Sequence, residues 1–228
     1  MSTPPPLADP PPALAEFLAR VARREAVVGV VGLGYVGLPI ARAMHDAGFG
    51  VIGYDIDARK ITQLEQGESY LKHLGDDLFQ SLAASPRFRP TNDPALLAEA
   101  DAILLCVPTP LGPHREPDLS YVQKSSEMVA RTLRRGQLIV LESTSYPGTT
   151  REICLPPLDA AGRGRNLVHG QDWFLAFSPE REDPGRTSHT TRSTPRLVGG
   201  VDPDTGPSPA GHAAHALYSA AVEHVILV

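Results

Sequence analysis

The chain has 228 residues, of which 42% are hydrophobic and 21% charged, and its formal net charge is −5. These values exclude a chain that is disordered or fibrous throughout, and the lack of a basic block argues against a nucleic-acid partner. Because there is neither an apolar run of about 18 residues nor an apolar signal core, we expect a cytoplasmic protein without a membrane partner.

Proline makes up six of the first twelve residues. Since proline fixes φ and has no backbone N–H, residues 1–12 are predicted to form a disordered, extended tail. Apolar residues then recur at helical spacing, at Leu14, Phe17, Leu18 and Val21. This spacing predicts a short helix over residues 13–25, whose apolar face packs on the following domain or binds a partner, with packing favoured.

From residue 26 onward, short runs typical of strands alternate with helical segments. The runs are Val27–Val31, Val51–Tyr54, Ala102–Val107, Leu138–Leu141, Phe174–Phe177, Arg196–Val198 and Val225–Val228. The clearest helices between them are Val36–Ala47 and Tyr121–Leu133. Apolar strands separated by helices predict one α/β domain over residues 26–228, with a doubly wound, mostly parallel sheet and helices on both faces.

The strongest local motif is Gly32-Leu33-Gly34-Tyr35-Val36-Gly37, which follows a predicted strand and opens a predicted helix. That context is the one that the dinucleotide fingerprint of Rossmann-type sheets requires. The first glycine permits a tight turn, the second lets the backbone approach a pyrophosphate, and the third lets the helix pack closely on the strand. Amides at a helix N-terminus also attract phosphate. We therefore predict a dinucleotide site at these six residues.

Asp55 ends the second predicted strand, eighteen residues after Gly37. This is close to the spacing expected for an acid that binds the adenosine ribose hydroxyls. A carboxylate there would repel a 2′-phosphate, so NAD is the predicted cofactor rather than NADP, although Arg59 and Lys60 are near enough to complicate this preference. Asp57 fits better as the N-cap of the next helix.

The loop Cys106–Pro110 follows the fourth strand and brings Thr109 and two prolines to the cofactor crevice. Cys106 and Cys154 are too far apart in sequence for a metal clip, so we predict neither a metal site nor a structural disulfide. Nothing adjacent to Cys106 would lower its pKa, and Cys154 lies in an apolar run. Both are interpreted as buried hydrophobic residues rather than catalytic thiols.

Two further loops carry candidate catalytic groups. Glu142–Thr150 concentrates hydroxyl groups after the fifth strand; Thr144 is expected to face the cofactor or a reacting water, whereas Thr149 or Thr150 is a candidate helix cap. Ser178–Arg181 follows the sixth strand. There, Glu180 and Arg181 either form a surface ion pair that contributes little to stability, or have roles in the site. In the second case the Glu180 carboxylate positions a reacting water and Arg181 contacts the substrate.

Together these motifs resemble the N-terminal region of nucleotide-sugar dehydrogenases, the UDP-glucose/GDP-mannose dehydrogenase family. The resemblance runs from about Ala26 to Val228 and also includes Pro184-Gly185 and Val198-Gly199-Gly200. The string His114–Ser120 looks like the branch that oxidises UDP-N-acetylhexosamines, particularly UDP-N-acetyl-D-glucosamine 6-dehydrogenases.

The resemblance implies an oxidation of the sugar C6 hydroxymethyl to a carboxylate, in which two NAD molecules each take a hydride and a cysteine holds a thioester. It implies further cofactor contacts at Asp55, Lys60, Val107, Pro108, Thr109, Ser143 and Thr144. It also implies that Glu180 is the acid/base or water-orienting carboxylate, acting with Thr144, and that Arg181 and Glu182 lie on the substrate side. The family often has an aliphatic residue in place of Glu182, whose charge would oppose an anionic substrate.

In the family, the catalytic cysteine lies in a Gly-Cys-Gly context before a Pro-Lys-Asp string, and the 228 residues contain neither. By the same resemblance, the central helix and the C-terminal sugar-nucleotide domain would follow Val228. We therefore expect these residues to bind NAD without turning over a UDP-sugar, and the apolar strand Val225–Val228 to lack its covering helix. A homo-oligomer and a complementing chain are both open as partners.

Three hypotheses follow from these observations. The first is a truncated or split nucleotide-sugar dehydrogenase. The second is a non-catalytic NAD-binding module that senses the cofactor or pairs with a partner through residues 1–24. The third is a two-electron dehydrogenase of the β-hydroxyacid type, against which the strings Ser178–Arg181 and His114–Ser120 argue.

Overall fold

A computed structural model describes residue 7 and residues 9–71, 74–111, 117–179, 193–202 and 208–228. The strands are β1 Val27–Val31, β2 Gly50–Tyr54, β3 Phe88–Thr91, β4 Ala102–Leu105, β5 Leu138–Leu141, β6 Phe174–Phe177, β7 Arg196–Gly200 and β8 Val225–Leu227. The α-helices are α1 Pro12–Ala22, α2 Gly37–Asp46, α3 Ala58–Gln66, α4 Asp76–Ala83, α5 Ser120–Ala130, α6 Leu155–Gly164 and α7 Pro209–Ser219. A 3-10 helix spans Pro94–Glu99, and a π-helical turn, Thr150–Cys154, leads into α6.

The eight strands form one sheet in the order β3-β2-β1-β4-β5-β6-β7-β8. Neighbouring strands are parallel except for β6 and β7, which are antiparallel. The predicted doubly wound, mostly parallel sheet is therefore confirmed. The strand order reverses between β1 and β4, and the crevice beyond the carboxyl ends of the strands at such a reversal is where these sheets bind ligands.

Apolar layers cover both faces of the sheet. Successive strand residues point to opposite faces, so Val30 of β1 joins one layer and Val31 the other. Helices α1, α2, α3, α4 and α7 pack on the first layer, and α5, α6 and the 3-10 helix pack on the second. Helices on both faces were predicted and are present. Within the described ranges, no helix has the length and apolar character needed to cross a bilayer.

Three elements, β3, α4 and α7, are not predicted individually from the sequence. Strand β3 reads Phe-Arg-Pro-Thr, with Arg89 exposed and a proline that only an edge position tolerates. Helix α4 is amphipathic, with Phe79 and Leu82 buried, but it is only eight residues long; α7 carries no strong amphipathic pattern that marks it in advance. The start of α7 does have a readable signal, because Ser208 caps it by accepting a hydrogen bond from the amide of Gly211 and Pro209 follows directly.

Helix α1 packs on the domain, which is the favoured alternative for its apolar face. Leu14, Phe17 and Val21 are buried in the same layer as α7. The helix ends at Ala22, three residues before the predicted bound, because Arg24 adopts a left-handed conformation with φ of 61°. The guanidinium of Arg24 then lies over the ring of Phe49, 5.1 Å from its centroid.

A buried carboxylate, Asp101, anchors α1 to the sheet. Its Oδ2 accepts hydrogen bonds from Arg20 of α1 at 2.8 Å and from the amide of Val27 at 2.9 Å. Its Oδ1 accepts from Arg134 at 2.9 Å. Asp101 is 4% exposed and lies directly before β4, so one side chain joins three segments that are distant in sequence.

A second buried polar cluster lies at the carboxyl end of β5. Glu142 accepts a hydrogen bond from Arg196 at 2.5 Å through Oε2 and from the hydroxyl of Tyr218 through Oε1. All three residues are buried, and burial together with the Glu142 charge raises the pKa of Tyr218, so its hydroxyl stays a donor. Because an unpaired buried charge costs several kcal/mol, this cluster holds β5, β7 and α7 in one arrangement.

We expect Asp101→Asn to lower the free energy of unfolding by about 1–2 kcal/mol, because it removes the charge that binds two partly exposed arginines and the Val27 amide. Urea unfolding followed by circular dichroism measures the change. Asp46→Asn is the matched control, since the Asp46–Arg42 pair is exposed and its loss should cost less than about 0.5 kcal/mol. Equal losses in the two variants would contradict the anchoring role of Asp101.

Candidate functional site

The glycine-rich string forms the turn between β1 and α2, at the reversal of strand order. Gly32 has a φ of +93°, and a β-carbon there would lie 2.5 Å from the carbonyl oxygen of Cys106. The amide of Gly32 also donates to the carbonyl of Tyr54 at 2.8 Å. Both the backbone conformation and the close approach to the end of β4 therefore require glycine.

The other two glycines of the string differ in their surroundings. A β-carbon at Gly37 would collide with the carbonyl oxygen of Gly32 and lie 3.2 Å from the β-carbon of Cys106. A β-carbon at Gly34 would meet no heavy atom within 4 Å. Gly37 thus allows α2 to pack directly on the turn, whereas Gly34 borders open space, as expected where a ligand approaches the backbone.

Asp55 lies against this turn at the carboxyl end of β2. It is 5% exposed; its Oδ2 accepts from the amide of Leu33 at 2.9 Å, and its Oδ1 accepts from the amide of Asp57 at 3.0 Å. The ammonium group of Lys60 is 2.7 Å from Oδ2. The structure therefore brings together the turn, the acid and the lysine that were predicted to bind one cofactor.

The two cations near Asp55 have different partners. Arg59 forms an exposed ion pair with Asp57 at 2.9 Å, while Lys60 contacts Asp55. Asp57 also accepts from the amide of Arg59 and caps α3, which confirms the predicted role of Asp57. Of these two cations, only Lys60 contacts Asp55, the acid predicted to bind the ribose.

The loops after β4 and β5 are joined by Ser143. This buried hydroxyl donates to the carbonyl of Val107 at 2.6 Å and lies 3.2 Å from that of Leu105. Its only proton is thus used within the protein, and Ser143 shapes the loop that holds Pro108 and Thr109. Thr144, by contrast, is exposed.

Thr149, one of the two candidate caps, occupies the N-cap position of the π-helical turn, but its hydroxyl makes no capping hydrogen bond. Thr149 is buried and donates to the carbonyl of Tyr146 at 2.8 Å. Thr150 is also buried and is the first residue of the π-helical turn. Thr144 is therefore the most exposed of these three threonines.

A cleft of about 360 Å³ opens beside the β5 loop, at the carboxyl ends of β5 and β6. Its walls are formed by Ser145, Tyr146, Pro147, Gly148, Thr150, Arg151, Phe177, Gly199, Gly200 and Val201. The cleft is on the same edge of the sheet as the glycine turn, which is the edge where parallel α/β sheets bind ligands.

The predicted catalytic carboxylate Glu180 and the predicted substrate-side residues Arg181 and Glu182 lie outside the described residues, as do His114–Glu116 and Pro184-Gly185. Ser178, two residues before Glu180, is buried, with its hydroxyl oxygen 3.4 Å from a guanidinium nitrogen of Arg196. The end of β6 is therefore tied to the same buried cluster as Glu142.

Both cysteines are buried, as predicted. Burial raises the pKa of Cys154 to about 11, so its thiol is protonated near neutral pH. Cys106 lies beneath the glycine turn, and its β-carbon would be 3.2 Å from a β-carbon at Gly37. No cluster of three potential metal ligands is found in the part of the chain that the structure describes.

The sequence analysis missed one residue of this site. Tyr70 lies between α3 and α4, and its hydroxyl donates to the carbonyl of Leu33 at 2.7 Å. No motif or spacing rule identifies Tyr70 as a site residue. The sequence indicates it only as an aromatic residue in a largely polar stretch, Gly67-Glu68-Ser69-Tyr70-Leu71.

Residues 26–222 match the UDP-glucose/GDP-mannose dehydrogenase family, NAD binding domain. The chain is 36% identical over 182 residues to a UDP-N-acetyl-D-glucosamine 6-dehydrogenase of Pseudomonas aeruginosa, covering 78% of this chain and 40% of that protein. It is 33% identical over 175 residues to a UDP-N-acetyl-D-mannosamine dehydrogenase of Pyrococcus horikoshii, covering 76% and 41%.

The crystal structure of an NDP-N-acetyl-D-galactosaminuronic acid dehydrogenase from Methanosarcina mazei Go1 superposes with a TM-score of 0.80 at 32% identity, covering 94% of this chain and 46% of that one. The chain thus spans about two fifths of the length of the curated relatives it matches. The matched region contains the glycine turn, Asp55 and Lys60. By this match, the chain belongs to the UDP-glucose/GDP-mannose dehydrogenase family, and residues 26–222 form its NAD-binding domain.

Proposed function

We propose that the chain is the NAD-binding portion of a nucleotide-sugar 6-dehydrogenase that oxidises the C6 hydroxymethyl of a UDP-N-acetylhexosamine to a carboxylate. The observation that carries the proposal is the buried Asp55 carboxylate on the amide of Leu33, beside the open space at Gly34. A backbone that a phosphate can approach and an acid for the ribose hydroxyls occur there together, which is what a dinucleotide needs.

NAD would supply the hydride acceptor, one molecule for each of the two hydrides of this four-electron oxidation. The residues that would hold NAD are the glycine turn with Leu33, Tyr35 and Val36, the pair Asp55 and Lys60, and the loops with Val107, Pro108, Thr109, Ser143 and Thr144. The Asp55 carboxylate has four lone-pair positions. The amides of Leu33 and Asp57 and the ammonium of Lys60 occupy three of them. A ribose hydroxyl can bind at the fourth, or replace Lys60.

The reacting end of the substrate is assigned to the loops after β5 and β6. We propose that Glu180 orients a water or transfers a proton together with Thr144, and that Arg181 and Glu182 contact the substrate. The exposure of Thr144, in the loop directly after β5, supports this role. The cluster of Glu142, Arg196 and Ser178 fixes where both loops begin.

The substrate class rests on two supports. The string His114–Ser120 has the character of the branch that acts on UDP-N-acetylhexosamines. Relatives with about one third identity have names that specify N-acetylated sugars: glucosamine, mannosamine and galactosaminuronic acid. The N-acetyl group is common to all three, so the proposal specifies a UDP-N-acetylhexosamine, and the glucosamine form is the first to test.

The 228 residues are proposed to supply the cofactor half of the reaction and to need a thiol from sequence outside them. Both of their cysteines are buried, and neither lies between two glycines. A thioester-forming cysteine must reach the substrate as a thiolate, and burial raises the pKa of Cys154 to about 11, which disfavours that form.

We expect wild-type protein to bind NAD about tenfold or more tightly than NADP, because a 2′-phosphate would lie beside the buried Asp55 carboxylate. Isothermal titration calorimetry of both cofactors measures the ratio. Asp55→Asn should reduce the ratio of the NADP Kd to the NAD Kd, provided that the thermal midpoint shows a folded variant. Equal affinity of the wild-type protein for the two cofactors would contradict the role of Asp55.

Gly34→Ala should keep the thermal midpoint of the wild type while weakening NAD binding about tenfold or more, because its β-carbon enters only the open space beside the turn. Gly164→Ala is the matched control, since that glycine also borders open space but lies at the end of α6. Gly37→Ala should instead lower the midpoint, because its β-carbon meets backbone. Undiminished NAD affinity in Gly34→Ala would exclude this turn as the pyrophosphate site.

We expect the purified 228-residue protein to bind NAD but to produce no NADH above background with UDP-N-acetyl-D-glucosamine, measured by absorbance at saturating NAD. Turnover at about 1–1000 per second, the range of intact enzymes, would refute the need for an outside thiol. Recovery of activity on adding a chain that bears the Gly-Cys-Gly segment would support a split enzyme, whereas NAD binding with no such partner would favour a non-catalytic module.

A further inference from the structure

We infer that Tyr70 is a positioning residue for the dinucleotide turn: its hydroxyl fixes the carbonyl of Leu33 and so orients the next amide toward the pyrophosphate. The inference rests on the proposed NAD site and adds a residue that no motif of the fingerprint contains.

Leu33 is held on three sides. Its amide donates to Asp55 at 2.9 Å, its carbonyl accepts from Tyr70 at 2.7 Å, and its side chain is fully buried. A β-carbon at Gly53 of β2 would lie 3.1 Å from both δ-carbons of Leu33, so that side chain has no room to shift toward the sheet. The backbone of the turn is therefore held on both its donor and its acceptor side.

The carbonyl of Leu33 and the amide of Gly34 belong to one planar trans peptide unit, since no cis peptide occurs in the described residues. In such a unit the C=O and N–H bonds point in opposite directions. Fixing the carbonyl toward Tyr70 therefore directs the Gly34 amide away from Tyr70. That amide belongs to a residue whose β-carbon position has no heavy atom within 4 Å, so a ligand can approach the backbone beside it, and an anion there needs a donor.

Tyr70 is itself held in place. Its ring packs edge-to-face on Phe79 of α4, with centroids 5.1 Å apart, and Phe79 is fully buried. The ammonium of Lys60 lies 5.9 Å from the centroid of the Tyr70 ring. Burial and the Asp55 charge raise the pKa of Tyr70, so the hydroxyl keeps its proton and remains a donor at neutral pH. The residue thus joins the turn to the Asp55–Lys60 pair and to α4.

The test is Tyr70→Phe, which removes only the hydroxyl, with Tyr121→Phe as the control because Tyr121 is exposed on α5. Calorimetry with NAD and with ADP-ribose measures ligands that contain the pyrophosphate. Adenosine, which has the ribose but no phosphate, is titrated by NMR. We expect the Kd of NAD and ADP-ribose to rise about threefold to tenfold in Tyr70→Phe, the loss of one net hydrogen bond, and that of adenosine to change less than about twofold.

Comparing the loss of affinity for the three ligands distinguishes positioning of the turn by Tyr70 from a general loosening of the site. An unchanged NAD affinity in Tyr70→Phe, or an equal loss for adenosine, would overturn the inference. Phe79→Leu keeps the hydroxyl but weakens the packing of the ring, and should show the same ordering with smaller changes; loss of all three ligands in both variants also overturns it. Failure of the wild-type protein to bind NAD would instead refute the proposed function.

Discussion

The contact between Gly37 and the carbonyl of Gly32 is the constraint on which the rest of the site depends. Because no side chain separates them, α2 begins directly above the turn, and the turn in turn lies against the end of β4 at Cys106. The N-terminus of the helix is thereby brought to the reversal of strand order. The close backbone packing at the turn therefore fixes the position around which the loops after β4 and β5 lie.

Buried carboxylates hold the segments around this point. Asp55 lies directly after β2, Asp101 directly before β4, and Glu142 directly after β5. At strand ends the backbone groups have left the ladder, so an acid can accept a backbone amide, as Asp55 does from Leu33 and Asp101 from Val27. Each carboxylate also binds a cation, which is the nearby Lys60 at Asp55 and an arginine from a distant segment at Asp101 and Glu142. These polar contacts lie at the strand ends, where each buried charge has a partner.

Much of the fold could be predicted, for a physical reason that also explains the failures. Strands β1, β5 and β6 lie within the sheet and are continuously apolar, and their predicted bounds agree with the structure to the residue. Strand β3 lies at the edge, where burial is incomplete and the pattern is lost. In α7 the small alanines are buried because the helix packs closely between α1 and the sheet, and alanine alone does not signal which face is inward.

The sequence by itself determined the α/β class, the position of the glycine turn, the spacing to Asp55 and the family, because these depend on local periodicity and on residues close together in the chain. The tertiary structure decided which partner each polar group has: Lys60 rather than Arg59 on Asp55, Ser143 on the carbonyl of Val107, and Tyr70 on that of Leu33. Ser143 and Tyr70 reach partners 36 and 37 residues away in the chain, and the choice at Asp55 depends on the direction of side chains at the start of α3. Neither periodicity nor motif spacing carries that information, since it arises only when the strand ends are brought together.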